Sequence, residues 1–331
     1  MRLLILGGTR FVGRHLAAAA LARGHAVTLF NRGRTAPGLF PQAEEIHGDR
    51  TTDLSALAGR RWDAAIDVNG YLPGPVRRAA ELLAGAVERY VFISTISVYA
   101  HLEEPGTTEE SPVEEPPPGG EKTKETEEVT NESYGWLKVL CERAAERAMP
   151  GRVLHVRPGI QMGPYDSTGR FTWWATRVAR GGEVLVPGRP ERPIQAVDAR
   201  DLAAWTVRMA EERATGVFNV AGPVPPIDFH HLLAACRAAA GSDAAFTWVG
   251  DAFAREHDLE LPLWLPREEE GLDQVDPSRA VARGLTFRPV EETARDVLAW
   301  VAEDPEARAP DRLDPDREAG LLREWHRRHA P

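Results

Sequence analysis

The sequence contains little cysteine and no long apolar run. Its 331 residues include two cysteines, Cys141 and Cys236, which are too few and too far apart for a zinc site or a disulfide scaffold. No stretch approaches the roughly 20 apolar residues that a membrane span requires, and the N-terminus lacks the charged region and cleavage site of a secretory signal. These absences lead us to expect a cytoplasmic protein without a membrane partner.

Positive charge is also scarce. The formal net charge is −10, whereas nucleic-acid binding relies on a basic face that releases counterions. We therefore expect a small-molecule substrate rather than a nucleic-acid partner. The neighbouring histidines, His230 with His231 and His326 with His329, have no acidic or thiol partner at a usual zinc spacing. The sequence accordingly predicts no metal site.

Short apolar runs alternate with alanine-rich stretches through the first half of the chain. They occupy residues 3–6, 12–22, 26–30, 64–68, 76–84 and 90–94. This alternation is typical of an α/β fold in which helices cover both faces of a doubly wound parallel Rossmann sheet. A single core rarely grows to this chain length. We predict a dinucleotide-binding Rossmann domain over 1–158, to which 194–222 returns, and a smaller α/β substrate-binding domain over 159–193 and 223–331.

Residues 101–132 interrupt the alternation. The segment is rich in proline and glutamate and has almost no large apolar residue after Leu102. We expect a long surface excursion, either a mobile lid or a solvated insertion. The composition also fits a disordered acidic loop.

A glycine cluster between the first strand and the first helix predicts a dinucleotide site. Glycines there permit a tight turn and let a pyrophosphate approach the free N–H groups of the helix N-terminus. Arg10 stands where a second glycine is usual, and it can add a charge-assisted hydrogen bond to a phosphate. The residues predicted to contact the cofactor from this segment are Gly7, Thr9, Arg10, Phe11, Val12 and Gly13.

The end of the second strand indicates which dinucleotide binds. An NAD site usually has a carboxylate there for the adenosine ribose, but this chain has Asn31, Arg32 and, two residues later, Arg34. Two guanidinium groups favour a 2′-phosphate, so we predict NADP in preference to NAD. The alternative is that Arg32 and Arg34 are ordinary solvated loop residues.

Other strand ends converge on the same crevice, because ligands bind at the carboxyl ends of parallel strands. Asp49 and Arg50 follow the short third strand and are predicted to lie near the adenine. Val68, Asn69 and Gly70 follow the fourth strand and are predicted to lie over the pyrophosphate and the nearby ribose.

Tyr134 and Lys138 are the predicted catalytic pair. Residues four apart lie on one helical face, and a neighbouring ammonium favours the phenolate form of a tyrosine that would otherwise titrate near pH 10. The chain has only three lysines, and the other two, Lys122 and Lys124, fall in the acidic excursion. The alternative is an ordinary pair on a helix surface.

The fifth strand ends in a hydroxyl-rich segment. A hydroxyl at that position can donate to the substrate oxygen beside the phenol and orient it. Thr95 is the predicted residue, Ser94 and Ser97 are the alternatives, and Ser94 is also expected to contact the cofactor. These hydroxyls could instead only cap the following turn.

Residues 7–13, Asp49, 94–99, 134–138 and 157–164 together resemble the extended or atypical short-chain dehydrogenase/reductase superfamily, close to its NAD-dependent epimerase/dehydratase group. The resemblance implies that Thr95 is the catalytic Ser/Thr, that Tyr134 is the acid–base group and that Lys138 holds the nicotinamide ribose. It also implies that the segment beginning at Pro158 passes the nicotinamide, and that the protein can pair as a homodimer.

Arg10 and the Asn31-Arg32 pair resemble an atypical branch of the superfamily that includes chloroplast stem-loop RNA-binding proteins. Ile160 stands where sugar-nucleotide enzymes usually carry an asparagine, which disfavours a nucleotide-sugar substrate. Dehydration is disfavoured because Ile96 follows the catalytic threonine in place of an acidic pair.

The predicted function is therefore hydride transfer at a secondary alcohol or carbonyl carbon by an NAD(P)-dependent oxidoreductase or epimerase. The alternative is a catalytically quiet Rossmann-type protein that binds NAD(P) or RNA and acts in regulation. The predicted substrate contacts are Ser97, Gln161, Tyr165, Trp173 and Gln195.

Overall fold

The computed structural model describes residues 1–119, 128–304, 307 and 309–330. Its strands are β1 (Arg2–Leu6), β2 (Ala26–Asn31), β3 (Glu44–His47), β4 (Ala64–Asp67), β5 (Arg89–Ile93), β6 (Val153–Pro158), β7 (Ile160–Met162), β8 (Glu183–Pro187), β9 (Pro193–Ile194), β10 (Ala196–Asp198), β11 (Gly216–Val220), β12 (Ile227–Asp228) and β13 (Ala245–Val249). Its α-helices are α1 (Phe11–Ala22), α2 (Pro73–Leu83), α3 (Asn131–Ala148), α4 (Arg170–Ala179), α5 (Ala199–Glu211), α6 (Phe229–Ala240), α7 (Asp251–Glu256), α8 (Ser278–Ala282), α9 (Val290–Glu303) and α10 (Pro315–Arg328).

Seven strands form one parallel sheet in the order β11-β6-β5-β4-β1-β2-β3. The order reverses at β1, which pairs with β2 on one side and with β4 on the other. Three short two-stranded sheets lie outside it and pair β10 with β7, β12 with β9, and β13 with β8. The predicted doubly wound Rossmann fold is confirmed.

The two faces of the sheet are covered by different helices because alternate strand residues point to opposite faces. Leu3 and Ile5 pack with α1 and α5 in one core, whereas Leu4 and Leu6 pack in a second core beneath α2 and α3. Continuous apolar strands are what such two-sided burial requires. The carboxyl ends of the seven parallel strands all lie at the same end of the sheet.

A further core lies in the C-terminal half of the chain. Trp174 of α4 packs edge-on against Phe229 of α6, with ring centroids 5.2 Å apart. Strands β8 and β13 and helices α9 and α10 contribute further apolar side chains. Edge-to-face aromatic pairs of this kind add specific geometry to the burial of apolar area.

Residues 100–114, here called the strap, are held by backbone hydrogen bonds at both ends. Ala100 N–H donates to Pro112 O and Glu114 N–H to Val98 O, at 3.0 and 2.7 Å. Halfway along, Gly106 N–H donates to Gln274 O, and Asp276 N–H donates to Thr107 O. These hydrogen bonds disfavour the alternative of a disordered loop for this part of the excursion; residues 120–127 lie outside the described residues.

Among the described residues, no helix is both long enough and apolar enough to cross a membrane.

Candidate active site

The turn after β1 is built from glycines that no other residue could replace without strain. Gly7 and Gly8 adopt φ values of 120° and 99°, which side chains disfavour. A Cβ on Gly13 would lie 2.8 Å from the backbone nitrogen of Gly8. The absence of that carbon lets α1 begin directly against the end of β1.

The N-terminus of α1 is open to an anion. Arg10 occupies the N-cap position in an extended conformation and makes no side-chain capping bond, and the first turn contains no acidic residue. The first backbone N–H groups of a helix have no partner within the helix, and the helix dipole favours negative charge there. Thr9 and Phe11 are half-buried beside this turn, and Val12 is buried.

The end of β2 brings its two arginines close to Asp49. The pKa of Asp49 is lowered, chiefly by hydrogen bonds from Thr51 and further by the charges of Arg32 and Arg34. Asn31 accepts a 2.7 Å hydrogen bond from Gly33 N–H. Its Nδ2 is buried and has no hydrogen-bond partner in the part of the chain that the structure describes.

Arg50 is committed to a buried ion pair. Its guanidinium donates to both carboxylate oxygens of Asp67, at 2.5 and 2.7 Å, and the Tyr90 hydroxyl donates to the same carboxylate at 2.6 Å. Burial alone would raise the pKa of Asp67, but the Arg50 charge and these hydrogen bonds lower it. Only the outer side of Arg50 remains for a ligand, where it borders a cavity of about 370 Å³.

The segment after β4 meets the glycine turn. A Cβ on Gly7 would lie 3.1 Å from Asn69 Nδ2, so the ends of β1 and β4 are in contact. Val68 is half-buried and Asn69 is exposed. Gly70 packs so tightly on Phe92 that a Cβ would lie 2.3 Å from the ring. The glycine turn and the segment after β4 therefore lie next to each other at the carboxyl ends of their strands.

Helix α3 carries Tyr134 and Lys138 on one face. It begins at Asn131 behind a capping box in which Thr130 and Ser133 exchange hydrogen bonds. Lys138 is 2% exposed, and its Nζ donates to Gly70 O at 2.9 Å and to Ile93 O at 2.7 Å. Burial lowers the pKa of Lys138 to about 8.

Thr95 lies beside the Tyr134 phenol. Burial raises the pKa of Tyr134 to about 12, and the interaction with the Thr95 side chain opposes that shift. The Thr95 Oγ1 also accepts a 3.1 Å hydrogen bond from Ser97 N–H and contacts Ser97 Oγ, so it caps the following turn as well. Ser94 and Pro158 are both buried at the ends of their strands.

The predicted substrate residues fall into two groups. Gln161 is half-buried and donates to Gly159 O, and Tyr165 lies at φ 68° beneath the Arg14 guanidinium, 3.4 Å from the ring centroid. Gln195, in contrast, is buried and exchanges hydrogen bonds with the backbone of residue 275 at 2.9 and 3.1 Å. Trp173 is likewise buried and lies against Trp174, so both side chains are already engaged within the protein.

Two residues near Tyr134 were missed from the sequence. Tyr71 follows Gly70, and its ring centroid lies 6.4 Å from that of Tyr134; its position just after a strand end could have indicated it. Arg170, the first residue of α4, lowers the pKa of Tyr134 through its charge. No sequence pattern around Tyr134 indicates Arg170, because Arg170 lies in the other half of the chain and comes near Tyr134 only in the folded protein.

One group of potential metal ligands occurs among the described residues. Glu256, His257 and Glu324 place ligand atoms within 4.8 Å of one another. Arg328 pairs with both glutamates and so offsets one of the two negative charges that would attract a cation.

This sheet, with a glycine turn at one strand end and Tyr134 and Lys138 on α3, has the arrangement that the resemblance to extended short-chain dehydrogenases/reductases implies. Residues 63–221 match the model of the NAD dependent epimerase/dehydratase family. The resemblance drawn from the sequence is confirmed.

Two curated relatives are similar at 26% identity. The first is the chloroplast stem-loop binding protein of 41 kDa b from Arabidopsis thaliana, matched over 72% of this chain and only 63% of the relative. The second is dTDP-6-deoxy-L-talose 4-dehydrogenase (NAD(P)(+)) from Kitasatospora kifunensis, matched over 90% of both chains. The chain thus spans less than two thirds of the first relative and nearly all of the second.

Among solved structures, human epimerase family protein SDR39U1 (isoform 2), determined with NADPH, shares the fold. It is 22% identical, with a TM-score of 0.59 over 90% of this chain and 99% of that one.

Proposed function

We propose that the protein is an NADP-preferring oxidoreductase or epimerase that acts at a secondary alcohol or carbonyl carbon of a small molecule. The observation that carries the proposal is the placement of Tyr134 beside Thr95, one helical turn from the buried Lys138 ammonium. These groups stand next to a crevice whose features suit a dinucleotide.

The crevice fits a nicotinamide dinucleotide on three counts. The open N-terminus of α1 suits the pyrophosphate, and the close packing of Gly13 on Gly8 leaves room for it. The orphaned Nδ2 of Asn31 could donate to a ribose or phosphate oxygen. When bound, the nicotinamide supplies or accepts the hydride.

The protein's own groups move the proton. In the reducing direction the Tyr134 hydroxyl donates its proton to the carbonyl oxygen as the carbon gains the hydride, which gives an alcohol and a phenolate. Thr95 orients the oxygen, and the Lys138 ammonium stabilises the phenolate. A Tyr134 pKa of about 12 keeps the phenol protonated at neutral pH, and a Lys138 pKa of about 8 keeps most of the amine charged. Oxidation and the first half of an epimerisation are the reverse steps.

The preference for NADP rests on the end of β2. Arg32 and Arg34 are exposed, and β2 ends in Asn31 rather than in a carboxylate. A guanidinium can bind a 2′-phosphate through two parallel hydrogen bonds. The curated dehydrogenase is named for NAD(P)(+) and the human protein was determined with NADPH, so either dinucleotide is compatible with the family.

The first experiment is a fluorescence titration with NADPH and NADH, followed by turnover assays on a panel of ketones and sugar aldehydes. We expect Arg32→Ala to weaken NADPH binding by about tenfold or more while NADH binding is unchanged. The matched control is Arg61→Ala, an exposed arginine just before the start of β4. Tyr134→Phe should retain cofactor binding and lose turnover by roughly 10²- to 10⁴-fold. Failure to bind either cofactor would disprove the proposal.

A non-catalytic RNA-binding role is the second candidate, and it is favoured by the similarity to the stem-loop binding protein. The net charge of −10 opposes it. Retention of a stem-loop RNA in a gel-shift assay, together with an absence of turnover across the panel, would support it.

We further propose that residues 1–158 together with 194–222 form the cofactor-binding Rossmann domain, that 159–193 and 223–331 form the substrate-binding domain, and that the protein is a cytoplasmic homodimer. Sedimentation velocity tests the oligomeric state.

A further inference from the structure

Tyr71 covers the catalytic pair from the solvent side. It is one of the few large side chains that stay exposed, with half of its surface accessible. Its ring is tilted by 39° to that of Tyr134 with centroids 6.4 Å apart, and Lys138 Nζ lies 5.6 Å from its centroid. An exposed aromatic ring thus lies beside the half-buried Tyr134 and the buried Lys138.

The backbone that carries Tyr71 is fixed by Lys138 itself. Gly70 O accepts a hydrogen bond from Lys138 Nζ. A Cβ on Gly70 would lie 2.3 Å from Phe92 and 2.8 Å from Val76, so the loop lies as close to the sheet as a backbone can. The backbone that carries Tyr71 therefore cannot move away without breaking this hydrogen bond to the ammonium.

The other groups around the ammonium are all buried. Phe92 presents its ring 4.4 Å from Nζ on the inner side, and the carbonyls of Gly70 and Ile93 accept two of its three hydrogens. Phe92, Gly70 and Ile93 are buried, whereas Tyr71 is half-exposed. Of these four neighbours, Tyr71 alone is exposed to solvent.

We propose that Tyr71 is a positioning residue whose ring shields the Lys138 ammonium and the Tyr134 phenol from bulk water. The catalytic consequence rests on the proposed function, but the shielding itself can be measured without substrate or cofactor. Excluding water strengthens the electrostatic interaction between the Lys138 ammonium and the phenolate that forms when Tyr134 donates its proton. The role requires the aromatic ring rather than the phenolic hydroxyl.

Several charged or titratable groups influence Lys138, and they bear on the test. Asp67 acts from the end of β4 and Arg50 from the loop after β3, while Cys141 and Glu142 act from α3. Substitution of Tyr71 leaves all four in place. A change in the titration of Lys138 would therefore report its hydration rather than a lost charge partner.

The decisive experiment measures the pKa of Lys138 by NMR, which is practical because the chain has only three lysines. A protein that carries Lys122→Arg and Lys124→Arg retains Lys138 as its only lysine, so ¹³Cε-labelled lysine gives one side-chain signal whose chemical shift follows pH. In this background we expect the Lys138 pKa to lie near 8 and to be unchanged by Tyr71→Phe. Tyr71→Ala should raise it by about one unit or more toward the ordinary value near 10.4.

Controls separate shielding from a general loss of packing. Val281→Ala removes an exposed apolar side chain from α8 and should leave the Lys138 titration unchanged. If Tyr71→Ala does not fold, Tyr71→Leu, which covers less of the ammonium, should raise the pKa by a smaller amount. An unchanged Lys138 pKa in a folded Ala or Leu variant would overturn the proposal, and so would a Phe variant that shifts as much as Ala. If the wild-type protein binds neither NADPH nor NADH, that result contradicts the proposed function but not the shielding by Tyr71.

Discussion

Two glycines shape the crevice because they have no Cβ atom. The Cβ absent from Gly13 lets the first turn of α1 pack on Gly8, and the Cβ absent from Gly70 lets the loop lie on Phe92. Protein interiors are packed closely enough that one added methyl group must displace its neighbours. The position of the glycine turn after β1, which we propose binds the pyrophosphate, thus depends on the absence of one Cβ atom from Gly13.

At this scale we predict that Gly13→Ala destabilises the fold by about 1–3 kcal/mol, because its Cβ would overlap the backbone of Gly8. Cofactor affinity should fall at the same time. The matched control is Gly320→Ala in α10, where the nearest atom is 3.8 Å away and alanine should stabilise the helix by up to about 1 kcal/mol. Urea denaturation measures both, and equal effects of the two variants would contradict the prediction.

At the scale of elements, the ends of neighbouring strands are joined by buried charges. Asp67 at the end of β4 holds Arg50 from the loop after β3 and the Tyr90 hydroxyl of β5. The carboxylate is fully buried, and such a group is tolerated only when it is paired and hydrogen-bonded. This network fixes the loop that carries Asp49 beside the crevice.

We predict that Asp67→Asn lowers the free energy of unfolding by about 3–5 kcal/mol, because it leaves the Arg50 guanidinium buried without a counter-charge. Asp63→Asn, at an exposed backbone contact just before β4, should cost less than about 1 kcal/mol. Denaturant titration at pH 7 distinguishes them, and a cost for Asp67→Asn no greater than for Asp63→Asn would refute the argument.

The same variant has a pH signature. The folded pKa of Asp67 is lowered, so its stabilising contribution is present above the unfolded pKa near 3.9 and is lost as the pH falls through the folded pKa. The difference in stability between the wild type and Asp67→Asn should therefore shrink on acidification below about pH 4. A difference that stays constant with pH would show that ionisation of Asp67 is not its source.

At the scale of the whole molecule, the strap joins the fifth strand end to the C-terminal half. It leaves the sheet just after the segment that carries Thr95 and pairs with residues 274 and 276. Gly271 packs beneath it, and a Cβ there would lie 2.4 Å from Glu103 O. The strap thus connects the cofactor half of the chain with the half that is proposed to bind substrate.

We predict that Gly271→Ala displaces the strap and makes residues 100–112 more susceptible to limited proteolysis. The unfolding free energy should fall by about 1–3 kcal/mol. Gly250→Ala is the control, since no atom lies within 4 Å of its Cβ position and its φ is negative. If both variants were cleaved at the wild-type rate, the strap would not depend on this contact.

Local patterns in the sequence were sufficient to predict the sheet, the glycine turn and the Tyr134-Lys138 pair. Strand and helix periodicity are properties of consecutive residues, and an i, i+4 pair meets on any helix. The sequence predicted a surface excursion but not its pairing, because proline and glutamate content says nothing of a strap that pairs with distant residues 274 and 276.

The sequence by itself therefore determined the Rossmann fold, the family and the residue types offered to a dinucleotide. Only the tertiary structure decided that Arg50 is held by Asp67, that Gln195 is engaged by residue 275 and that Tyr71 covers Lys138. The physical reason is that these contacts join residues far apart in the chain. Their partners are selected by packing across the sheet and between the two halves, which no local periodicity records.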